Sequence, residues 1–136
     1  MAPLSMFLLL SLLAIPSSAT VTFSFRGNIT CSLGFPFNYQ LQVIEEDLIK
    51  NDKISRASFV YSETSPSPFQ ITASDTHDGP TDYYFDIAFH VYHDCSIDRT
   101  HLKARFRVGQ FLAYPGSHYV DELDMDITNK GDRSDW

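Results

Sequence analysis

The sequence is short of positive charge, cysteine and long apolar runs, and each shortage excludes a class of protein. Lys and Arg number 10 against 17 Asp and Glu, and a chain with net charge −7 is poorly suited to nucleic acid phosphates. Two cysteines indicate one disulfide and not a zinc site or a redox pair. No segment after residue 19 approaches the length of a membrane span. Sustained helical periodicity is also missing, so strands are expected throughout.

The first 19 residues are predicted to be a signal peptide. Met6 to Ile15 is an apolar run of about ten residues, too short to cross a bilayer. Ser17 and Ala19 place small residues where a signal peptidase requires them, which predicts cleavage after Ala19. Because no Lys or Arg precedes the run, an uncleaved interfacial anchor is the alternative. The mature chain is expected to be secreted and extracellular.

The segment Tyr83 to Cys95 is predicted to be the central strand. Its odd-numbered positions are mostly aromatic or aliphatic, and this strict alternation is typical of a strand with one buried face. At about 3.3 Å per residue the strand would run roughly 40 Å, about twice the usual length, so a bulge or break is expected. Such a strand needs a second sheet packed over it.

Val21 to Cys31 alternates equally well, and its parity places Cys31 on the buried face, as Cys95 is on its own strand. We therefore predict a disulfide between Cys31 and Cys95 across the core; two buried free thiols are the alternative. Gly27 interrupts the segment and could mark a bulge that resets this parity.

The outward face of the same segment carries a candidate glycosylation site. Asn28, Ile29 and Thr30 form an N-glycosylation sequon, and the parity of the strand directs Asn28 to solvent. In a secreted chain this predicts a glycoprotein.

Seven alternating segments separated by turn signals predict an all-β, antiparallel two-sheet sandwich. The domain is predicted to occupy residues 20–128, followed by a mobile polar C-terminal tail at 129–136. The link 109–118 is too long for a tight hairpin, which favours a crossing between sheets. The predicted strands are residues 21–31, 39–47, 54–61, 69–73, 83–95, 102–108 and 122–127.

Several of these segments resemble the transthyretin-like family, secreted proteins abundant in nematodes. The strand ending in His93, Asp94 and Cys95 resembles the family's His-x-Cys motif, and Gly27 to Cys31 resembles its first strand. The resemblance implies a transthyretin (prealbumin)-like sandwich, secretion and no catalysis common to the members. Two further cysteines usual in the family are missing here, as is a glycine before the fourth strand, where Ser67 and Pro68 stand instead.

Lys103, Arg105 and Arg107 form a basic stripe on one face of the sixth strand and are candidate contacts for an anionic surface, either lipid head groups or sulfated sugars. Alternatively, neighbouring carboxylates neutralise them. If the central strand lies beside the stripe, which is the favoured arrangement, its Asp86 and Asp94 are the partners. If the last strand lies there instead, the partners are Glu122, Asp124 and Asp126.

Other candidate residues have simpler structural explanations. Glu122, Asp124 and Asp126 could bind calcium, but a solvated strand face is the more economical interpretation. A buried His93 bonded to backbone is expected before a ligand or a base. We predict no catalytic residue, no metal and no cofactor.

The function that follows is a secreted binding or recognition protein for a lipid, a small apolar molecule or a cell-surface partner, with homo-oligomers possible. The alternative is a hydrolase of the transthyretin fold that cleaves a cyclic amide (hydroxyisourate-type). Such enzymes end in a Tyr-Arg-Gly-Ser motif, whereas this chain ends in Arg133, Ser134, Asp135 and Trp136.

Overall fold

The alternating segments form strands. A computed structural model describes residues 20–76 and 83–136, and this part of the chain contains nine strands and no helix. The predicted signal peptide and its cleavage site lie outside the described residues. The strands are β1 (Thr20–Thr30), β2 (Phe37–Glu46), β3 (Asn51–Lys53), β4 (Ser58–Ser62), β5 (Ser67–Thr76), β6 (Tyr84–His93), β7 (Leu102–Leu112), β8 (His118–Asp126) and β9 (Asp132–Arg133).

These strands build two sheets, as predicted. One has the order β5-β1-β8; the other has the order β3-β2-β6-β7-β9, with β4 also paired to β2. All pairings within the described residues are antiparallel except that of β1 with β8, which is parallel. The predicted antiparallel two-sheet sandwich is confirmed, with this one parallel pair. Residues 113–117 lead the chain from β7 to the end of the other sheet where β1 begins, so β8 runs in the direction of β1.

Aromatic side chains from both sheets fill the space between them. Phe23 and Phe25 of β1 meet the rings of Phe111 and Phe89, each at 5.3 Å between ring centroids. Their edge-to-face geometry adds about 0.5–1.5 kcal/mol per pair to the burial of apolar area. Apart from Gly27, the odd-numbered residues of β1 and β6 are buried, as the alternation predicts.

The irregularity expected in the long central strand lies in its neighbour β7. Ile87 pairs with Gly109 and Ala88 with Arg107, so Val108 is the extra residue of a β-bulge. Because the bulge resets the parity of β7, Phe111 faces the core beside Phe85. The predicted link from Gly109 onward is wrong at its start, since β7 continues to Leu112.

Gly27 does not bulge. β1 keeps an unbroken register with both neighbours through this residue. A Cβ atom at Gly27 would lie 1.6 Å from the Leu123 carbonyl oxygen, so the glycine permits β8 to approach. The parity of the first strand is therefore preserved, with Cys31 buried.

The predicted disulfide is confirmed. Cys31 and Cys95 are bonded with their Cα atoms 6.0 Å apart, and both are buried. Because Cys31 follows β1 and Cys95 follows β6, the bond joins the two sheets. It closes a sequence separation of 64 residues, for which the chain-entropy model gives about 4 kcal/mol of stabilisation.

The C-terminal residues 129–136 are polar but are not a free tail. β9 pairs with the start of β7, and the Ser134 amide donates to the His101 carbonyl at 3.1 Å. The Trp136 ring lies 4.7 Å from the His101 ring and 6.4 Å from that of Phe59. These contacts tie the segment to the six-stranded sheet, while its mobility stays a prediction.

The third predicted strand is also shorter than expected. Strand structure in that region covers Ser58–Ser62, while residues 54–57 form a connection that leaves the sheet. The segment between the second and third predicted strands contains the short β3, Asn51–Lys53.

Candidate functional site

The basic stripe, Lys103, Arg105 and Arg107, lies on β7 with β6 beside it. This confirms the central strand as the neighbour and confirms the crossing of β8 to the other sheet. The crossing needs only residues 113–117, so the length of the link was not the reason for it. The location of the stripe determines which carboxylates can reach it.

Arg105 is paired with Glu46 at the end of β2. Its Nε and Nη2 groups donate to the two carboxylate oxygens of Glu46, a bidentate pair. The hydrogen bond from Arg105 lowers the pKa of Glu46, and the same bond raises the pKa of Arg105. The central cation of the stripe is therefore already engaged.

The other two cations of the stripe also have partners. Arg107 Nη2 lies 3.9 Å from the Asp86 carboxylate, one of the two carboxylates expected beside the central strand. Lys103 Nζ lies 5.5 Å from the centre of the Tyr92 ring, within cation–π range. The second expected carboxylate, Asp94, faces Arg99 instead, at 3.9 Å. Contact between this stripe and an anionic surface remains a prediction, and it would have to compete with these interactions.

A larger site, which we call the polar groove, lies on the outer face of the three-stranded sheet. It has a volume of about 1000 Å³. Outward residues of β1 and β5 form its floor, and residues 53–58 form its wall. The lining residues are Thr22, Phe23, Ser24, Lys53, Ile54, Ser55, Arg56, Ala57, Ser58, Gln70, Ile71, Thr72, Ala73, Ser74 and His118.

The wall of the polar groove is held by hydrogen bonds to both sheets. The Ile54 amide donates to the Val43 carbonyl, and the Ile54 carbonyl accepts from Ser74, each at 3.0 Å. The Val43 amide donates to Ser55 Oγ at 2.9 Å. The buried Gln42 side chain donates to the Ser55 carbonyl and, at 3.2 Å, to its Oγ. The connection is thus attached to the scaffold and not suspended in solvent.

The charge of the polar groove is opposite to that of the chain. Its lining contains Lys53, Arg56 and His118 and no Asp or Glu. Lys53 and Arg56 are exposed, and within residues 20–76 and 83–136 no carboxylate forms an ion pair with either. His118 Nε2 is 2.8 Å from Ser24 Oγ. Two cations beside hydroxyl and amide groups can bind a polar anion.

Sequence reasoning missed this site because its parts are distant in the chain. The wall was interpreted as the start of a strand, and no sequence pattern shows that it folds against β5. One local signal was available: no acidic residue occurs between Lys53 and Ser62, in a chain where acidic residues outnumber basic ones.

His93 has the structural role that was expected. The ring is fully buried, its Nδ1 accepts the Cys95 amide at 3.1 Å, and its Nε2 lies 2.8 Å from the Lys130 carbonyl. Burial lowers the pKa of His93, so the neutral ring with Nε2 protonated satisfies both contacts. The histidine of the His-x-Cys motif therefore links the disulfide to the C-terminal segment.

The acidic residues of β8 have individual partners. Arg26 binds Glu122, and Asp126 Oδ1 accepts from the Thr128 hydroxyl at 2.7 Å. Asp124 Oδ1 accepts hydrogen bonds from the Asn28 side-chain Nδ2 at 3.2 Å and from the Asn28 backbone amide at 3.0 Å. Asn28 is half-buried on the outer face of the sheet, and its glycosylation remains a prediction.

The described residues contain no cluster of three or more His, Cys, Asp or Glu side chains that could hold a metal ion. The same residues include no helix long and apolar enough to cross a membrane.

Comparison with known proteins identifies a distant relative. No family model matches the sequence. The uncharacterized protein B0416.7 of Caenorhabditis elegans is 28% identical over 74 residues, which is 54% of this chain and 55% of that protein. The chain is thus similar to a nematode protein over about half the length of each.

Proposed function

We propose that this chain is a secreted extracellular recognition protein of the transthyretin-like type that binds an anionic cell-surface ligand in the polar groove. The His-x-Cys motif, the two-sheet architecture and the distant nematode relative support the family. The Cys31–Cys95 bond supports an oxidising compartment and thus secretion after removal of residues 1–19. Asn28 would carry the glycan of the mature protein.

One observation above all supports an anionic ligand: the polar groove, of about 1000 Å³, holds two cations with no carboxylate among its lining residues, in a chain of net charge −7. An exposed cation without a partner keeps its full attraction for an incoming anion. The stripe lacks this property because Glu46 and Asp86 already occupy two of its three cations.

The lining favours a sulfated glycan as the ligand class. Hydroxyl groups of Thr22, Ser24, Thr72 and Ser74 occupy the floor, where sugar hydroxyls can exchange hydrogen bonds with them. Sulfate groups would pair with Lys53 and Arg56 at the wall. A concave polar floor suits an extended sugar chain better than a flat bilayer.

The test compares two double variants that each remove two positive charges. Lys53→Gln with Arg56→Gln removes the cations of the groove, and Lys103→Gln with Arg107→Gln removes two cations of the stripe. At about 1 kcal/mol per contact, the groove variant should bind heparin about 30-fold more weakly, and the stripe variant about as well as wild type. Binding to immobilised heparin at 50 and 150 mM salt measures both.

Equal losses in the two variants would show that heparin senses net charge only, which contradicts a groove site. Absence of heparin binding by wild type at 50 mM salt would also overturn the proposal. Vesicles containing phosphatidylserine provide the second arm. Groove-dependent binding to these vesicles without binding to heparin would replace the glycan with a lipid head group.

A further inference from the structure

A second concave site, which we call the aromatic pocket, lies on the six-stranded sheet at the end opposite Glu46. Its volume is about 380 Å³. It lies beside the start of β2, whereas Glu46 and the stripe contacts are at the end of that strand. The lining residues are Asn38, Tyr39, Phe59, Val60, Tyr61, Asp94, His101 and Trp136. None of them lines the polar groove.

Three aromatic rings at this pocket face solvent. Phe59 is 70% exposed, Tyr61 60% and Trp136 38%. Trp136 lies between the rings of His101 and Phe59, so the C-terminal segment completes the pocket. Exposed aromatic faces gathered around a cavity are typical of a binding site, because each exposed ring forgoes the stabilisation of burial.

The pocket also contains a carboxylate. Asp94 is nearly buried and is held by Asn38, whose amide donates to Oδ1 at 2.8 Å and whose side chain donates to Oδ2 at 2.9 Å. Arg99 lies 3.9 Å from Asp94 but is not among the lining residues. Its guanidinium donates to the Pro36 carbonyl at 2.7 Å and covers the ring of Phe35. Asp94 brings a negative charge to the lining, and the described residues that line the pocket include no Lys or Arg.

We propose that the aromatic pocket binds an organic cation, specifically a quaternary ammonium group of the choline type. Ring faces attract such a cation through their negative quadrupole, and Asp94, although Arg99 lies 3.9 Å from it, adds a carboxylate to the same lining. The net charge of −7 attracts cations towards the protein. The same net charge repels anions, so the polar groove must bind an anion through its local positive charge. This site does not depend on the polar groove.

The chain provides its own probe, because Trp136 is its single tryptophan. We expect phosphocholine and tetramethylammonium to change the Trp136 fluorescence in a saturable manner. The neutral isostere of choline, 3,3-dimethyl-1-butanol, should bind at least about fivefold more weakly, since it has the shape but not the charge. Equal binding of the isostere, or a response to cellobiose and none to phosphocholine, would overturn the proposal.

Variants then locate the site. Phe59→Leu keeps an apolar side chain but removes a ring face, and the affinity for tetramethylammonium should fall about fivefold. The matched control is Tyr114→Leu, which removes an exposed ring outside the pocket lining and should not change the affinity. Asp94→Asn should weaken binding further, with circular dichroism as the check on folding. An unchanged affinity in Phe59→Leu would contradict the assignment, whatever Asp94→Asn does.

Discussion

The basic stripe and the polar groove differ in what surrounds their cations, although Lys53 of the groove belongs to β3 of the sheet that carries the stripe. Arg105 and Arg107 stand on a strand inside a sheet, and carboxylates of β2 and β6 reach them. Lys53 ends the edge strand β3 and Arg56 lies in the connection 54–57, and no carboxylate lines the groove beside them. The stripe is the more conspicuous pattern in the sequence, yet the groove holds the cations that an external anion can use.

The difference follows from how the two segments are placed. A residue inside a sheet has neighbours on both adjacent strands about 5 Å away, so in an acidic chain a carboxylate is usually within reach. The connection 54–57 instead contacts β2 and β5 mainly through backbone groups, which carry no net charge. Whether a cation is available therefore depends on the contacts of its segment and not on the density of positive charge.

The largest effect should come from loosening the wall of the polar groove without removing a charge. Gln42→Leu removes the side-chain hydrogen bonds to Ser55. The half-buried Ser55 carbonyl loses its partner, so we expect a loss of about 0.5–1.5 kcal/mol in unfolding free energy and weaker heparin binding. Urea denaturation and heparin affinity measure these. Gln40→Leu, on the same face of β2, is the control. A variant with full heparin affinity would show that the wall need not be held.

The next prediction converts the stripe into an available site. Glu46→Gln removes the charge that holds Arg105, so the Arg105 guanidinium should become available to external anions. One added contact near an anionic surface is worth about 1 kcal/mol, so heparin affinity should rise about fivefold. Glu63→Gln removes the same charge from the exposed connection between β4 and β5 and is the control. Equal gains in both variants would indicate net charge alone and would weaken the contrast.

The smallest effect concerns pH, because two buried histidines have lowered pKa values. Burial lowers the pKa of His93 in the core and of His90 beneath the stripe, where Lys103 lowers it further. As the pH falls, these histidines therefore bind protons at a higher pH in the unfolded chain than in the folded chain. The free energy of unfolding should decline as the pH falls below the ordinary histidine pKa of 6.5. Glu46 has a pKa below its ordinary value of 4.5, so its pair with Arg105 persists to pH 5.5.

Urea midpoints at pH 7.5 and 5.5 test this expectation. His90→Gln should reduce the pH dependence. A midpoint that does not change between the two pH values would mean that neither histidine resists protonation.

Local patterns in the sequence predicted much of the fold. Alternation identified the buried faces of β1 and β6, and the parity of Cys31 and Cys95 predicted their disulfide. These predictions succeed because the side-chain period of a strand is two and one face must be buried. The expected irregularity of the central strand was also confirmed, although the extra residue, Val108, belongs to its partner.

Other features depended on contacts between distant segments. The parallel alignment of β8 with β1, the docking of the C-terminal segment on β7 and the early end of the third predicted strand leave no periodic signal. Gly27 shows the difficulty well. Its sequence context suggested a bulge, whereas the actual reason for a glycine at this position is the close approach of the Leu123 carbonyl, 96 positions away in the chain. No local pattern encodes such an approach.

The amino-acid sequence by itself determined that this chain is an acidic, all-β domain of two sheets with Cys31 facing Cys95, because composition and period-two alternation are properties of single segments. Only the tertiary structure decided which cations are free. Glu46 neutralises Arg105 across the sheet, while Lys53 and Arg56 border a groove made from β1, β5 and the wall. The physical reason is that a Coulomb interaction depends on distance in space, and residues 59 positions apart, such as Glu46 and Arg105, come close only when β2 and β7 lie on either side of β6.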